Sequence, residues 1–286
     1  MTATLEEILR ATEIQIVWCK SNGAPFTAGI LEVIHENLAH GGALAEFMVP
    51  WPGNPIADAL VLRATGALHF MVRTGRAPGL AAFYPGHGEK PWDAAAAGRE
   101  LEAAVVANRP LVRDILSGPP QTNETGRSAV LMPGYAEVSK RTQLPLSILE
   151  IGASAGLNLN WNRYAYRYGD RFFGDPSAPV TIEAEWRGPW AAIDRLPAVI
   201  AKRGCDQAPI DLSAPGAADR LISYVWPEQS ARLSRIQAAI ALAQRETPAL
   251  EKADAGDWLE RQLANQAVGA ATVIAHTIVW QYIAKE

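Results

Sequence analysis

Residues 149–160 read LEIGASAGLNLN, and two chemistries are compatible with them. Gly152-Ala153-Ser154-Ala155-Gly156 fits G-x-S-x-G, the elbow that exposes a nucleophilic serine in hydrolases. The same residues, opened by Glu150 at the end of an apolar run, fit a glycine-rich turn that brings backbone close to a nucleoside cofactor. Three further polar residues punctuate apolar runs downstream: Asp206 in RGCDQAP, Asp254 in KADAGDWL and His276 in VIAHTIVWQY. In a hydrolase, Ser154 would attack, and Asp206 or Asp254 followed by His276 would complete the serine–acid–histidine chain order. In a cofactor site, Glu150 would meet an ammonium, Asp206 the ribose hydroxyls and Asp254 an adenine amine. His276 would then stand at the reacting edge, where open sheets bind ligands.

The elements that must carry these residues separate the two readings. Pro145–Ile151 is a short buried strand, and it is the first in the chain. A hydrolase elbow follows several strands, so the sheet that should support its oxyanion hole is missing upstream. His276 falls in or at the end of an apolar strand, Ala271–Trp280, whereas a hydrolase histidine sits on a loop after the last strand. The cofactor reading accounts for four polar residues at the ends of four successive strands, and it is the one adopted here. Each has a bland alternative: Asp206 and Asp254 as caps, His276 as a core histidine.

Around these strands the pattern is strand, helix, strand, helix. A helix begins near Gly156 or Leu157. RYAYRYGDRFFG and PVTIEAEWRG alternate as the two arms of an inserted β-ribbon, about 163–188. Arg163, Arg167 and Arg171 are expected across from Glu183 and Glu185, with Tyr164, Tyr166 and Tyr168 packing one face. A strand from Ala198 runs toward Asp206, a long helix covers Ala217–Arg245, a short strand Ala249–Ala253 follows, then a helix near Trp258–Ala264. The expected fold is α/β, a doubly wound parallel sheet over residues 144–286.

Residues 1–143 read as a helical domain, because two-residue alternation is absent before residue 145. Thr4 and Glu7 form a capping box for a first helix, and Thr27 is expected to cap a second. Asn54-Pro55 precedes a helix over Ala57–Val72, Asp93 opens an alanine-rich one, and a last helix covers Gly126–Thr142. Just upstream of the sheet, QTNETGR offers Asn123, Glu124 and Arg127 to close over substrate, with Thr122 or Asn123 as a helix cap the competing role.

Other chemistries are excluded. His35 and His40 in HENLAH are five residues apart, about 140° around a helix, so they cannot share a zinc as H-E-x-x-H does. A C-cap explains the glycines of His40-Gly41-Gly42. The two cysteines lie in unrelated contexts, which argues against a disulfide framework or cysteine zinc site and fits a reducing cytoplasm. A net charge of −4 without a basic stripe argues against nucleic acid. No apolar run approaches the ~20 residues of a membrane span.

The stretches LSILEIGASAG, GCDQAP, KADAGDWL and VIAHTIVWQY resemble class I S-adenosylmethionine-dependent methyltransferases. Over the whole chain, IADALVLRATGALHF, QTNETGRSA, LEIGASAGLNLNWNRYAY, EWRGP, SYVWPEQSARL and HTIVWQY resemble domain of unknown function 2332, an uncharacterised bacterial family. The first resemblance implies S-adenosylmethionine as cofactor, held by Glu150, Gly152, Ser154, Gly156, Asp206 and Asp254, and no metal. The methyl acceptor, small molecule or protein, is not named by any residue. Two departures stand out: Ser154 replaces the middle glycine of the usual turn, and the inserted ribbon lengthens the interval from Glu150 to Asp206. Family members continue past HTIVWQY, so an incomplete sheet is expected, with an exposed last strand through which copies could associate. A serine hydrolase using Ser154, or a non-catalytic protein binding a nucleotide-like ligand or a partner, are the alternatives.

Overall fold

The first helix, α1 (Leu5–Ser21), starts where the sequence places it. Glu7 N–H donates to Thr4 Oγ1 at 3.2 Å and Thr4 N–H to Glu7 Oε2 at 2.8 Å, so two orphan donors of the helix end are satisfied reciprocally. This is seen in a computed structural model that describes residues 2–88, 90–190 and 193–282. By contacts the chain forms two compact units, Met1–Thr122 with Ala218–Leu233, and Asn123–Ala217 with Ser234–Glu286.

In the first unit α1 is followed by α2 (Pro25–Ala39), α3 (Ala45–Met48), α4 (Leu60–Arg73), α5 (Pro78–Ala81), α6 (Ala94–Ala107) and α7 (Arg109–Ser117). Ile8, Leu31, Ile34, Leu38, Leu60, Leu68 and Leu101 form its core. Two sequence expectations are corrected here. Thr27 is not the cap of α2; Pro25, whose missing N–H costs nothing in a first turn, starts that helix two residues earlier. The N–H and hydroxyl of Thr27 instead donate to Glu228 at 2.9 and 2.7 Å, so a remote carboxylate serves the positive end of α2. Helix α4 starts at Leu60 rather than Ala57, after Ala59 adopts a left-handed conformation. Asp93 does cap α6, accepting from Ala96 N–H at 3.0 Å.

The second unit opens with a 3-10 turn, Thr125–Arg127, that leads into α8 (Ser128–Thr142), and α8 belongs to the unit that holds the sheet. The strands β1 (Leu146–Ile151), β5 (Val199–Asp206), β6 (Leu250–Lys252) and β7 (Ala271–Ala275) form one parallel sheet in the order β6-β5-β1-β7. Strand β1 is central and buried along its length, which is why it reads as a continuous apolar run rather than alternating. Successive strands β1, β5 and β6 run outward on one side, and β7 returns to the other side of β1. The order therefore reverses between β1 and β7, and the crevice beyond the carboxyl ends there is where open α/β sheets bind ligands.

The inserted ribbon is more elaborate than two arms. RYAYRYGDRFFG folds on itself as the antiparallel pair β2 (Ala165–Tyr168) and β3 (Arg171–Phe173), and β4 (Thr181–Glu183) joins β2 in parallel. The Gly169-Asp170 turn causes this, since Gly169 adopts positive φ. Of the expected cross-ribbon pairs Arg167–Glu183 forms, at 3.5 Å. Arg163 goes to Glu246 and Arg171 lies over Trp190 instead. The three tyrosines do pack: their hydroxyls donate to the carbonyls of Leu157, Trp161 and Ala129.

Two later elements also differ from expectation. The long helix Ala217–Arg245 is two, α9 (Ala217–Ile222) and α10 (Ser230–Arg245), interrupted before Pro227, a residue that cannot continue a helix. Strand β7 ends at Ala275, not Trp280; Ile278 takes positive φ and a 3-10 turn, Val279–Tyr282, follows. Helix α11 (Ala255–Leu263) completes the described elements, and no described helix is long and apolar enough to cross a membrane.

Candidate functional site

The register places the acids. Glu150 on β1 pairs with Gly204 on β5 and with Ala275 on β7. Paired residues of parallel strands point to one face, and the face repeats every second residue. Asp206, two residues past Gly204, therefore shares the face of Glu150 across strands about 4.8 Å apart. Lys252 pairs with Asp206, and Asp254 follows it by two. Three carboxyls thus stand at the ends of three adjacent strands, as the apolar runs that precede them suggested.

The glycine turn fills the space between them. Gly152, Ser154 and Gly156 all adopt positive φ, 66°, 55° and 70°. Only glycine enters that region freely, and a side chain there costs roughly 1–2 kcal/mol. Gly152 is needed twice over, because a Cβ would also strike Val279 at 2.6 Å. Ser154 accepts the strain. Its N–H donates to Asp206 Oδ2 at 2.9 Å and its carbonyl accepts from Ile210 N–H at 3.1 Å, so neighbours hold the backbone on both sides.

Three further amides of the turn are committed as well. Ala153 N–H goes to Cys205 O at 3.0 Å, Gly156 N–H to Ala153 O at 2.8 Å and Leu157 N–H to Asn123 Oδ1 at 2.8 Å. Beyond Gly156 the chain makes a 3-10 turn, Leu157–Arg163, instead of an α-helix. Tyr164 explains part of this: its hydroxyl takes the carbonyl of Leu157 at 2.5 Å, an acceptor a longer helix would have used. A turn whose donors are occupied in this way has little to offer a phosphate.

Glu150 is 2% exposed, and burial pushes its carboxyl up to about 8. The positive charge of Arg127 pulls it back, and the Asp206 carboxylate adds to the rise. Asp206 also accepts from Ala208 N–H at 2.9 Å on Oδ1. A carboxylate has about four acceptor positions, so these two bonds leave capacity for hydroxyl donors. Asp254 caps α11, with Oδ1 taking Gly256 N–H at 2.8 Å; its bland role is real, and it remains an exposed acid at the strand end.

His276 is neither in a strand nor in the core. It is exposed after β7 and stacks on Trp280, ring centres 5.7 Å apart. Thr277 follows Ala275, the β7 partner of Glu150, by two residues, just past the carboxyl end of the strand. Thr277 Oγ1 there accepts from Arg127 Nη1 at 3.3 Å. The hydrolase arrangement is not formed: Ser154 Oγ is buried without a hydrogen-bond partner, so no histidine is positioned to take its proton.

QTNETGR does more than sequence reasoning assigned to it. Asn123 caps no helix; it holds Leu157. Glu124 accepts from Gly126 N–H at 2.8 Å and from Arg235 at 3.0 Å. Next to the motif, Ser128 Oγ donates to Asn158 Oδ1 at 2.7 Å, a buried bond. The asparagines of LNLNWNR were the overlooked signal. Among the described residues no group of three His, Cys, Asp or Glu could hold a metal ion.

With this geometry in hand, the family can be stated. Residues 11–286 match the family model of domain of unknown function 2332, uncharacterised protein conserved in bacteria. The chain belongs to that family. No curated protein and no solved structure matches it.

Proposed function

We propose that the second unit binds S-adenosylmethionine at the carboxyl end of its sheet and that the protein is a methyltransferase of the class I type. The observation that carries this reading is the polarity of the site. Four amides of the glycine turn are spent on protein acceptors, while Glu150, Asp206 and Asp254 stand at the ends of β1, β5 and β6. Such a site is built for a ligand with cationic and hydroxyl donors and no phosphate. Nucleoside sulfoniums fit that description; dinucleotides and nucleoside triphosphates do not.

Glu150 would lie beside the ammonium, Asp206 beside the ribose hydroxyls and Asp254 beside the adenine amine, with Gly152, Ser154 and Gly156 giving the backbone its close approach. Bound there, the cofactor supplies a sulfonium methyl open to in-line attack. The chain contributes orientation and exclusion of water, and His276 stands at the outer edge where an acceptor would enter.

Calorimetry and thermal shift of the full chain with S-adenosylhomocysteine, NAD and ATP test the reading. S-adenosylhomocysteine at 100 times its dissociation constant should stabilise by about 2.7 kcal/mol, and the two phosphate-bearing compounds should do nothing. Binding of NAD or ATP without S-adenosylhomocysteine would overturn it.

A further inference from the structure

We propose that Arg127 receives a carboxylate of the bound ligand, so that Arg127 and Glu150 together read the two charges of an α-amino acid end across the β1/β7 crevice. The assignment rests on the ligand reading above and adds a specificity residue to it.

The argument begins with where an anionic group could go. Ala153, Ser154, Gly156 and Leu157 have their N–H groups bound to protein acceptors, so most of the turn's backbone donors are already engaged. Around it stand three acids, Glu150, Asp206 and Asp254, none of which attracts an anion. A carboxylate entering this crevice therefore needs a fixed cation. Arg127 is at the right place: its Nη1 donates to Thr277 Oγ1 at 3.3 Å, just beyond the carboxyl end of β7 and two residues past the partner of Glu150. Its charge is felt by Glu150, which it draws toward ionisation against the effect of burial. An ammonium brought next to Glu150 would act in the same direction. A zwitterion laid between the two residues answers both.

The position of Arg127 is prepared by its neighbours. Asn123 is tied to Leu157 and Ser128 to Asn158, so the segment is fastened to the exit of the glycine turn on both sides of Arg127. Glu124 closes the 3-10 turn onto Gly126 and binds Arg235 of α10. Gly126 leaves room for that guanidinium: a Cβ there would lie 2.9 Å from Glu124 Oε1 and 3.3 Å from Arg235 Nη2. An arginine carried on a braced turn has lost much of its freedom before the ligand arrives, and its planar fork suits a carboxylate better than a lysine ammonium does. This gives each polar residue of QTNETGRS after Thr122, apart from Thr125, a task in presenting one side chain.

Calorimetric titration of the full chain with S-adenosylhomocysteine and with methylthioadenosine, which lacks the amino acid end, separates the possibilities. Wild type should prefer S-adenosylhomocysteine by at least about tenfold, the equivalent of 1.4 kcal/mol. Arg127→Gln should remove most of that preference while binding methylthioadenosine within about twofold of wild type, which also shows that the site is folded. Arg127→Lys should fall between them. If wild type binds both compounds equally, or Arg127→Gln keeps the full preference, the assignment is overturned although the ligand reading stands. If neither compound binds wild type, the ligand reading fails and the assignment falls with it.

Discussion

Each unit of the molecule buries a titratable group, and the two groups are treated in opposite ways. In the helical unit His69 of α4 is enclosed against the Ser223 carbonyl and the ring of Tyr84. Burial lowers its titration to about 4, with the carbonyl opposing and Arg73 adding to the fall, so the imidazole stays neutral. In the sheet unit Glu150 is enclosed near another acid and raised to about 8. The first arrangement silences a charge and serves packing. The second holds a carboxyl neutral against the pull of Arg127, and the ammonium of a bound ligand would draw it further toward ionisation. Polar contacts elsewhere follow the same division: Thr27 to Glu228 and Asn37 to Glu102 fasten helices, whereas Asp206 to Ser154 and Asn123 to Leu157 shape a turn.

The largest test of this contrast is a packing variant in the helical unit. Ile34 is fully buried in α2, and Ile34→Ala should cost about 2–5 kcal/mol in urea denaturation. S-adenosylhomocysteine affinity should stay within about twofold. A collapse of affinity at intact fold would erase the division of labour drawn here.

A smaller effect lies in the pH dependence. A carboxyl titrating higher folded than unfolded stabilises fully below its unfolded value, near 4.5, and that contribution is lost as pH rises to about 8. Glu150→Gln should abolish a decline of up to a few kcal/mol between pH 5 and 8. His69 has the opposite sign: its lowered titration makes stability rise between about pH 4 and 6.5. Denaturation midpoints across pH 4–9 for wild type, Glu150→Gln and His69→Gln resolve the two slopes. Identical wild-type and Glu150→Gln profiles above pH 5 would refute the assignment for Glu150.

The smallest effect concerns Ser154. Relieving its positive φ, Ser154→Gly should raise stability by roughly 1 kcal/mol and leave S-adenosylhomocysteine affinity within about tenfold. Loss of stability would mean that the hydroxyl has a structural duty its unpartnered state conceals.

The end of β1 was legible because that strand is buried along its length and Glu150 interrupts its apolar run, while Asp206 and Asp254 were legible from the turn residues that follow them. The capping boxes and helix-opening residues Thr4 and Asp93 were legible for the same local reason. What escaped was tertiary. Nothing near Thr27 announces Glu228, which lies far along the chain, and the glycine turn does not reveal that Tyr164 will stop the following helix at a 3-10 turn. The end of β7 at Ala275 was hidden by the apolar residues Ile278 and Val279; Ile278 is exposed, and Val279 packs over Gly152 and against the cluster that holds Trp258 of α11 instead of extending the strand. His276 thereby lost its strand.

Hydrogen–deuterium exchange of the full chain with and without saturating S-adenosylhomocysteine tests the central claim most directly. Protection should appear at residues 150–157, 206–210, 254–258 and 275–280, with residues 2–88 unchanged. Protection confined to the helical unit, or none at the strand ends under saturating ligand, would contradict it.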